Sequence, residues 1–285
     1  MIIRAGVALH TILVPYHFGS LRRGTGAGPE ALASNGVLNG LPVSATTTTT
    51  VESQASSEIQ QCIAVDAALA AAARRACEGG DIPVVFSGNC HACLGSLAGI
   101  GGPAAIVWFD AHGDLNTPET TETGYFDGMA LATALGWCWT NLARQIPGFA
   151  ASEERDVLLA GGRDLDRGER VRLRRSNVRH YLPPALADGR DAAFTAALAA
   201  GGGARRAYIH IDLDVIDPSE LSANQFEVPG GVSVAWLEAA LGDVRAHYEI
   251  AGVGVSAYDP SFTTPALAAP IVNRLLKAVL GHTAA

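Results

Sequence analysis

The sequence predicts an α/β fold: one domain over residues 1–285 with a mainly parallel central sheet covered by helices on both faces. Three observations predict it. Several short apolar runs, residues 82–86, 105–109, 157–160, 208–211 and 250–255, lack polar alternation, as strands buried on both faces do. Ala-rich segments of helical period separate them, and alternating strands and helices build parallel sheets. The 285 residues contain 48% hydrophobic and 17% charged residues, with no linker and no repeat of solenoid length, so one large core is expected.

Residues 7–14 form the first predicted strand, interrupted by His10. The glycine-rich segment PYHFGSLRRGTGAGPEAL follows and enters a helix with Pro29 near its first turn. It holds no GKS or GKT and no GxGxxG, so it reads as a loop lining one wall of a cleft rather than a phosphate cradle. Residues 44–57 are rich in Thr and Ser without apolar periodicity and read as a loop, with room for one strand at the centre. Cys62, Val65 and Leu69 then mark a helix running to about Cys77, stopped by Gly79-Gly80. Later helices are expected over residues 128–136, 191–200, 234–248 and 270–280, with Trp137 and Trp139 packed under the first of these, and residues 178–181 suit an edge strand.

The chemistry concentrates where predicted strands end. Residues 107–123, VWFDAHGDLNTPETTET, place Asp110, His112 and Asp114 directly behind an apolar strand. Ligands of open α/β sheets gather beyond the carboxyl ends of strands. Side chains spaced by two share one side of an extended backbone. Carboxylates with one imidazole suit manganese, magnesium or zinc. The run at 208–211, broken only by His210, leads into Asp212, Asp214 and Asp217, three acids that repel one another unless a cation sits between them. The strand at 82–86 delivers Cys90-His-Ala-Cys93, formally a CxxC. A redox pair or half a zinc cage is the other chemistry open to it, but no second CxxC exists, and a ligand to the Asp110 cluster is the better reading, because both segments are expected to leave neighbouring strands at the same sheet edge.

Composition excludes other classes. The formal net charge of −8 opposes a nucleic-acid surface, and the basic cluster at 170–175, RVRLRR, reads as a solvated helix face. No apolar stretch approaches the roughly 20 residues of a membrane span. The N-terminus, with only Arg4 before the apolar run is broken at His10, fits no secretory signal. Five cysteines, an odd number in a long chain, favour a reducing cytoplasm over a disulfide framework.

WFDAHGDLNTPETTETG, HIDLDVIDPS and LVPYHFGSLRRGTGAGPEAL together resemble the ureohydrolase superfamily of arginases, agmatinases and formiminoglutamases, over nearly the whole chain. The NTPETTET run brings the resemblance closest to the arginase branch. It implies a three-layer α/β/α fold, a two-manganese centre, hydrolysis of a linear C–N bond in a small molecule, and a homo-oligomer, trimer or hexamer. Position by position it implies metal ligands at Asp110, His112, Asp114, Asp212 and Asp214, with Asp110 and Asp212 bridging. It also implies an α-carboxylate grip at Asn116, Thr121 and Thr123, and an α-amino partner at Asp166 with Asp164 and Glu169 nearby. The alternative for these polar residues is capping of helices and turns.

Three departures shape the functional expectation. The family's GGDHS is SGNCHAC here, and gapless alignment puts Cys90 at the ligand position with His91 one residue later, so zinc competes with manganese as the ion. A proton-shuttling histidine is replaced by Asp127, a candidate proton carrier, and a guanidinium-binding glutamate by Ala257. The expected function is therefore metal-dependent hydrolysis of an amidine, guanidine or related C–N bond on an amino-acid-like substrate, not ordinary arginase activity, with Asp114 orienting the nucleophile. The alternatives are an amidase or deacylase on the same scaffold, or a metal- or ligand-binding member without turnover.

Overall fold

The computed structural model describes residues 7–52, 55 and 57–281; Arg4, and Ser53, Gln54 and Ser56 of the predicted Thr/Ser-rich loop, lie outside them. Eight strands form the central sheet. In chain order they are β1 (Leu9–Val14), β4 (Val43–Thr48), β5 (Ile82–Ser87), β6 (Ala105–Asp110), β7 (Val157–Gly161), β8 (Arg179–Tyr181), β9 (Arg206–Asp212) and β10 (Glu249–Ser256). The short strands β2 (Tyr16–His17) and β3 (Ser20–Leu21) make a separate antiparallel hairpin. The order across the sheet is β4-β1-β5-β10-β9-β6-β7-β8, and every pairing in it is parallel.

Helices cover both faces because successive strand residues point to opposite sides. Val107, Phe109, Ile209 and Ile211 pack with α1 (Gly28–Ser34), α7 (Ala192–Ala199), α8 (Val234–His247) and α9 (Pro265–Leu280). Ile106, Trp108 and Tyr208 face α2 (Glu58–Glu78), α3 (Cys93–Ile100) and α4 (Ala130–Ala134). Two further helices, α5 (Thr140–Ala143) and α6 (Arg167–Leu173), follow β6 and β7. The three-layer α/β/α expectation therefore holds. No helix among the described residues is long and apolar enough to cross a membrane.

Several local expectations are corrected. The Thr-rich segment starts as β4, an edge strand paired with β1, rather than carrying a strand at its centre. Its mostly exposed side chains have no apolar alternation to betray it, because an edge strand is held by its ladder. The last helix begins at Pro265, with Pro270 inside it. Two prolines five apart both resemble helix starts, and only the first occupies the position where its missing N–H costs nothing. The helix expected over 128–136 is a 3₁₀ turn, Asp127–Met129, followed by α4. Finally, β5 and β6 are not neighbours, since β10 and β9 lie between them.

That insertion builds the site. The four central strands, β5, β10, β9 and β6, all end at the same edge and bring Cys90, Ala257, Asp212 and Asp110 together from four parts of the chain. Gly88 lets the β5 turn lie against the glycine-rich loop, because a Cβ there would stand 2.1 Å from the Tyr16 carbonyl oxygen.

Candidate active site

A cavity of about 260 Å³ opens at the carboxyl edge of the sheet. Its lining includes nearly buried acids, Asp214 at 2% exposed, Asp212 at 3% and Asp114 at 6%, and Asp110, at 1%, lies within reach of the first two. Potential donor atoms form two groups, in each of which all lie within 4.8 Å of one another: Cys90 with Asp110, His210 and Asp212, and Asp110 with His112 and Asp214. Asp110 belongs to both. Asp212, also expected to bridge, belongs to the first only.

Local structure explains the aim of each group. Asp110 is the last residue of β6, and its oxygens accept from Trp108 Nε1 at 3.0 Å and the His112 amide at 2.7 Å. Asp114 sits at φ 50°, a left-handed conformation that non-glycine residues adopt mainly where surrounding structure imposes it. Its Oδ2 is buried without a hydrogen-bond partner among the described residues. Asp212 accepts from the Asp214 amide at 2.9 Å and from Cys90 Sγ at 2.9 Å. His112 Nδ1 stands 3.4 Å from both Asp110 and Asp214.

The electrostatics describe a centre short of positive charge. Burial, reinforced by Asp214, pushes the Asp110 carboxyl up to about 6 against the opposing pull of His112. Burial and neighbouring acids push Asp114 and Asp212 well above the carboxylate range. For Asp214 burial acts upward too, but His112 and the Asp212 contact outweigh it and hold the group low. Burial would lower His112, yet Asp214 and Asp110 overcome it and keep the ring charged. His210 is held neutral, pushed down to about 3 by burial, and its Nδ1 is another buried atom without a partner among the described residues. Clustered, desolvated acids with orphaned donor atoms fit divalent cations: Cys90, the four aspartates, His112 and His210 offer the donors.

The Cys90/His91 pair divides cleanly in space. Cys90 Sγ points among the acids, 2.9 Å from Asp212 and 3.3 Å from Ser256 Oγ. His91 turns away into the layer under α2, where its Nδ1 lies 3.2 Å from Asp66 and its ring stacks on Phe126. No disulfide links Cys90 to Cys93, and both are buried.

Most of the residues expected to grip an amino acid meet in one cavity. Asn116, Thr123, Asp164, Asp166 and Glu169 line the cavity. Asn116 Nδ2 donates to Asp166 at 2.7 Å, while Glu169 accepts from the amides of Asp166 and Leu115, fixing that wall. Thr121 does not line the cavity; its hydroxyl accepts from the Gly124 amide at 2.9 Å, the turn-capping alternative. Asp217 stands apart from both donor groups, accepting from Ser219, Gly230 and Gly231 to close its own loop. Asp127 lines the cavity, with one oxygen accepting from Asn89 Nδ2 at 2.5 Å and the other from the His91 amide at 3.0 Å.

Sequence reasoning missed three contributors. His210 was visible as the one polar residue in its strand, but only stacking on Trp108, 3.6 Å between ring centroids, shows why it is tolerated there. Asn224 donates to the Ala257 carbonyl at 2.8 Å and approaches Asp214 at 3.4 Å. Arg163 reaches under the second acid loop to the carbonyls of Asp214 and Val228, both at 2.7 Å. Neither Asn224 nor Arg163 carries a spacing signal.

Comparison with known proteins bears on this arrangement. Residues 8–280 match the sequence profile of the Arginase family. The chain is 35% identical over 172 residues to the N(omega)-hydroxy-L-arginine amidinohydrolase of Streptomyces lavendulae, covering 59% of this chain and 58% of that protein. It is 32% identical over 188 residues to the arginase of Bacillus caldovelox, covering 59% and 62%. These alignments thus span about three fifths of either relative. The fold superposes on the crystal structure of Bacillus cereus arginase with a TM-score of 0.86 at 24% identity, covering 98% of this chain and 100% of that one. With its family match running almost from end to end, the chain belongs to the arginase family of the ureohydrolase superfamily.

Proposed function

We propose that this protein is a metal-dependent hydrolase of a linear C–N bond in an amidine- or guanidine-type group borne by an amino acid, with an N-hydroxyguanidine favoured over arginine itself. The observation that carries the reading is the pair of buried donor groups sharing Asp110 at the floor of a cavity whose wall presents Asn116, Thr123 and Asp166. Cys90, Asp110, His210 and Asp212 would hold one divalent ion, with Asp114, expected as a further ligand but outside both donor groups, acting on Asp110 and Asp212 as a neighbouring acid, and Asp110, His112 and Asp214 would hold a second, manganese being the expected metal and zinc the competitor that the thiol favours. Bound there, such ions acidify water and polarise the group under attack.

The chain's own residues do the rest. Asp114, with its unpartnered Oδ2, is placed to orient the attacking water. Asp166 meets a substrate ammonium and Asn116 with Thr123 a carboxylate, holding the reacting carbon over the acids. Where the resemblance implies a guanidinium-binding glutamate, the cavity wall presents the methyl group of Ala257. A guanidinium buried there would lack an anion, and an unpaired buried charge costs several kcal/mol. Asp259 does not line the cavity; its Oδ1 accepts from Ser261. An electronegative oxygen on nitrogen makes N-hydroxyguanidine less basic than guanidine, so it enters neutral more readily. The relative from Streptomyces lavendulae is named for an activity on that group.

The test is turnover by manganese-loaded protein across L-arginine, Nω-hydroxy-L-arginine, formimino and amide substrates. The reading expects kcat/KM for the N-hydroxy compound to exceed that for arginine by at least tenfold. Efficient conversion of arginine to ornithine and urea sinks the preference, and no turnover of anything by metal-loaded protein sinks the hydrolase.

A further inference from the structure

An imidazole that belongs to neither donor group stands in the same cavity. His17, on the β2–β3 hairpin, lines it together with Asp127 and Thr25. Its Nδ1 is 2.7 Å from Thr25 Oγ1, and Nε2 has no hydrogen-bond partner among the described residues. Thr25 is buried, and a hydroxyl both donates and accepts, so it can follow the ring through either protonation state. The ring is held in place: Phe18 packs on it with centroids 4.3 Å apart, and Gly24 lies along its Cγ–Cδ2 edge, where a Cβ would stand 3.5 Å from Cδ2. Asp127, by contrast, has both oxygens occupied as acceptors, from Asn89 and from the His91 amide. That geometry makes Asp127 a fixed anion beside a ring that is free at one nitrogen.

We propose that His17 is the proton carrier of this cavity and that Asp127 is the fixed charge it works against. The proposal rests on the hydrolase reading above. As the oxygen of water bonds to the amidino carbon, neutral His17 takes at Nε2 the proton that oxygen releases. As the carbon–nitrogen bond breaks and its electron pair stays on nitrogen, His17 gives the proton to that nitrogen, and the amine leaves with the ring neutral again. The charged groups facing the ring are Asp127 on the turn before α4, Asp259 after β10 and Glu58 at the start of α2. Burial holds the ring below the usual histidine range against the upward pull of these three acids, which keeps it neutral near pH 7 as the step requires. Activity should therefore fall as pH drops through the His17 pKa.

The experiment compares manganese-loaded wild type and His17→Asn on Nω-hydroxy-L-arginine over pH. The expected result is a kcat lower by on the order of 100-fold, as for loss of a positioned acid–base group. With manganese kept saturating at every pH, KM and metal content should be unchanged, the acidic limb of the profile lost, and added imidazole should restore part of the rate. A variant that keeps kcat within threefold and retains that limb overturns the proposal, as does a loss of rate that follows a loss of metal. Independently, nitrogen-15 NMR of the full-length protein free of paramagnetic ions should show the His17 ring titrating below 6.5, and lower still in Asp127→Asn. A ring unmoved by that substitution also overturns the proposal. No turnover of any substrate by metal-loaded wild type refutes the hydrolase reading and the carrier with it, whereas normal wild-type turnover with an unaffected His17→Asn refutes the carrier alone.

Discussion

Asp110→Asn tests the proposed centre at its common member. Asn keeps the size of the side chain but has one acceptor oxygen instead of two, so one of the bonds from Trp108 Nε1 and the His112 amide is lost, at about 1 kcal/mol. Removing the charge also relieves repulsion from Asp214 and Asp212, so the metal-free fold should be close to wild type in stability. Metal binding should respond very differently, because Asp110 is the member common to both donor groups. Losing even a partner behind a metal ligand costs roughly 10–100-fold in affinity, and a shared ligand should cost each ion about 100-fold or more. With manganese at about 100 times the dissociation constant, each wild-type site adds about 2.7 kcal/mol of stability, so two sites add about 5 kcal/mol. At roughly 2 °C per kcal/mol for a chain of this size, manganese should raise the wild-type Tm by about 10 °C. The same concentration would be near or below the dissociation constants of the variant and add less than about 1 kcal/mol. The assay is calorimetric melting with and without manganese, together with bound-metal analysis. An Asp110→Asn protein that keeps half of the manganese-dependent rise, or carries two tightly bound ions, refutes the shared-ligand geometry.

Other expectations follow from the same arrangement. Asp214→Asn should remove about half of the bound metal, since Asp214 enters only the second donor group, and elemental analysis after desalting reads the ratio. Cys90→Ser should change metal affinity and preference with little change in metal-free stability, while His91→Ala should destabilise by about 3–5 kcal/mol, leaving Asp66 buried without its partner, and bind metal normally at low temperature; the reverse pattern in titration and melting would reassign the ligand. Metal binding should release protons at neutral pH, because burial holds Asp114 and Asp212 protonated above the usual range, and apparent affinity should fall as pH drops through about 6, where Asp110 takes up a proton. Titration calorimetry in buffers of different ionisation heat measures this, and zero release at pH 7 would contradict it. Ala257→Glu should gain arginine turnover, by placing an anion on the cavity wall; if instead Asp127→Asn abolishes guanidine turnover with metal content intact, Asp127 supplies that anion.

Much of the fold is legible in the chain because burial on two faces leaves a local trace. Strands such as β5 and β6 have every residue buried, so their sequences are apolar runs up to a polar last residue. The acids are legible for a related reason: Asp110, His112, Asp114, Asp212 and Asp214 follow strand ends at short spacing, and so many charges at an apolar terminus have few structural uses. Edge strand β4 escapes this logic, since its pairing rests on backbone bonds that leave no mark on side-chain type.

Other features depend on which distant segments meet. The insertion of β10 and β9 between β5 and β6 joins four strand ends into one floor, and strand order is a property of packing rather than of any one segment. The direction of Cys90 and His91 is likewise tertiary. Adjacent residues on a turn point to different sides, and only the acids on one and Asp66 on the other show which side is which. Thr121 and Thr123 look alike in the chain, yet turn geometry sends one hydroxyl to the Gly124 amide and leaves the other residue on the cavity wall. The charge state of the centre is the most collective property of all. Each aspartate alone would ionise near its ordinary value, and it is shared burial at one sheet edge that pushes Asp110, Asp114 and Asp212 up together while His112 holds Asp214 down.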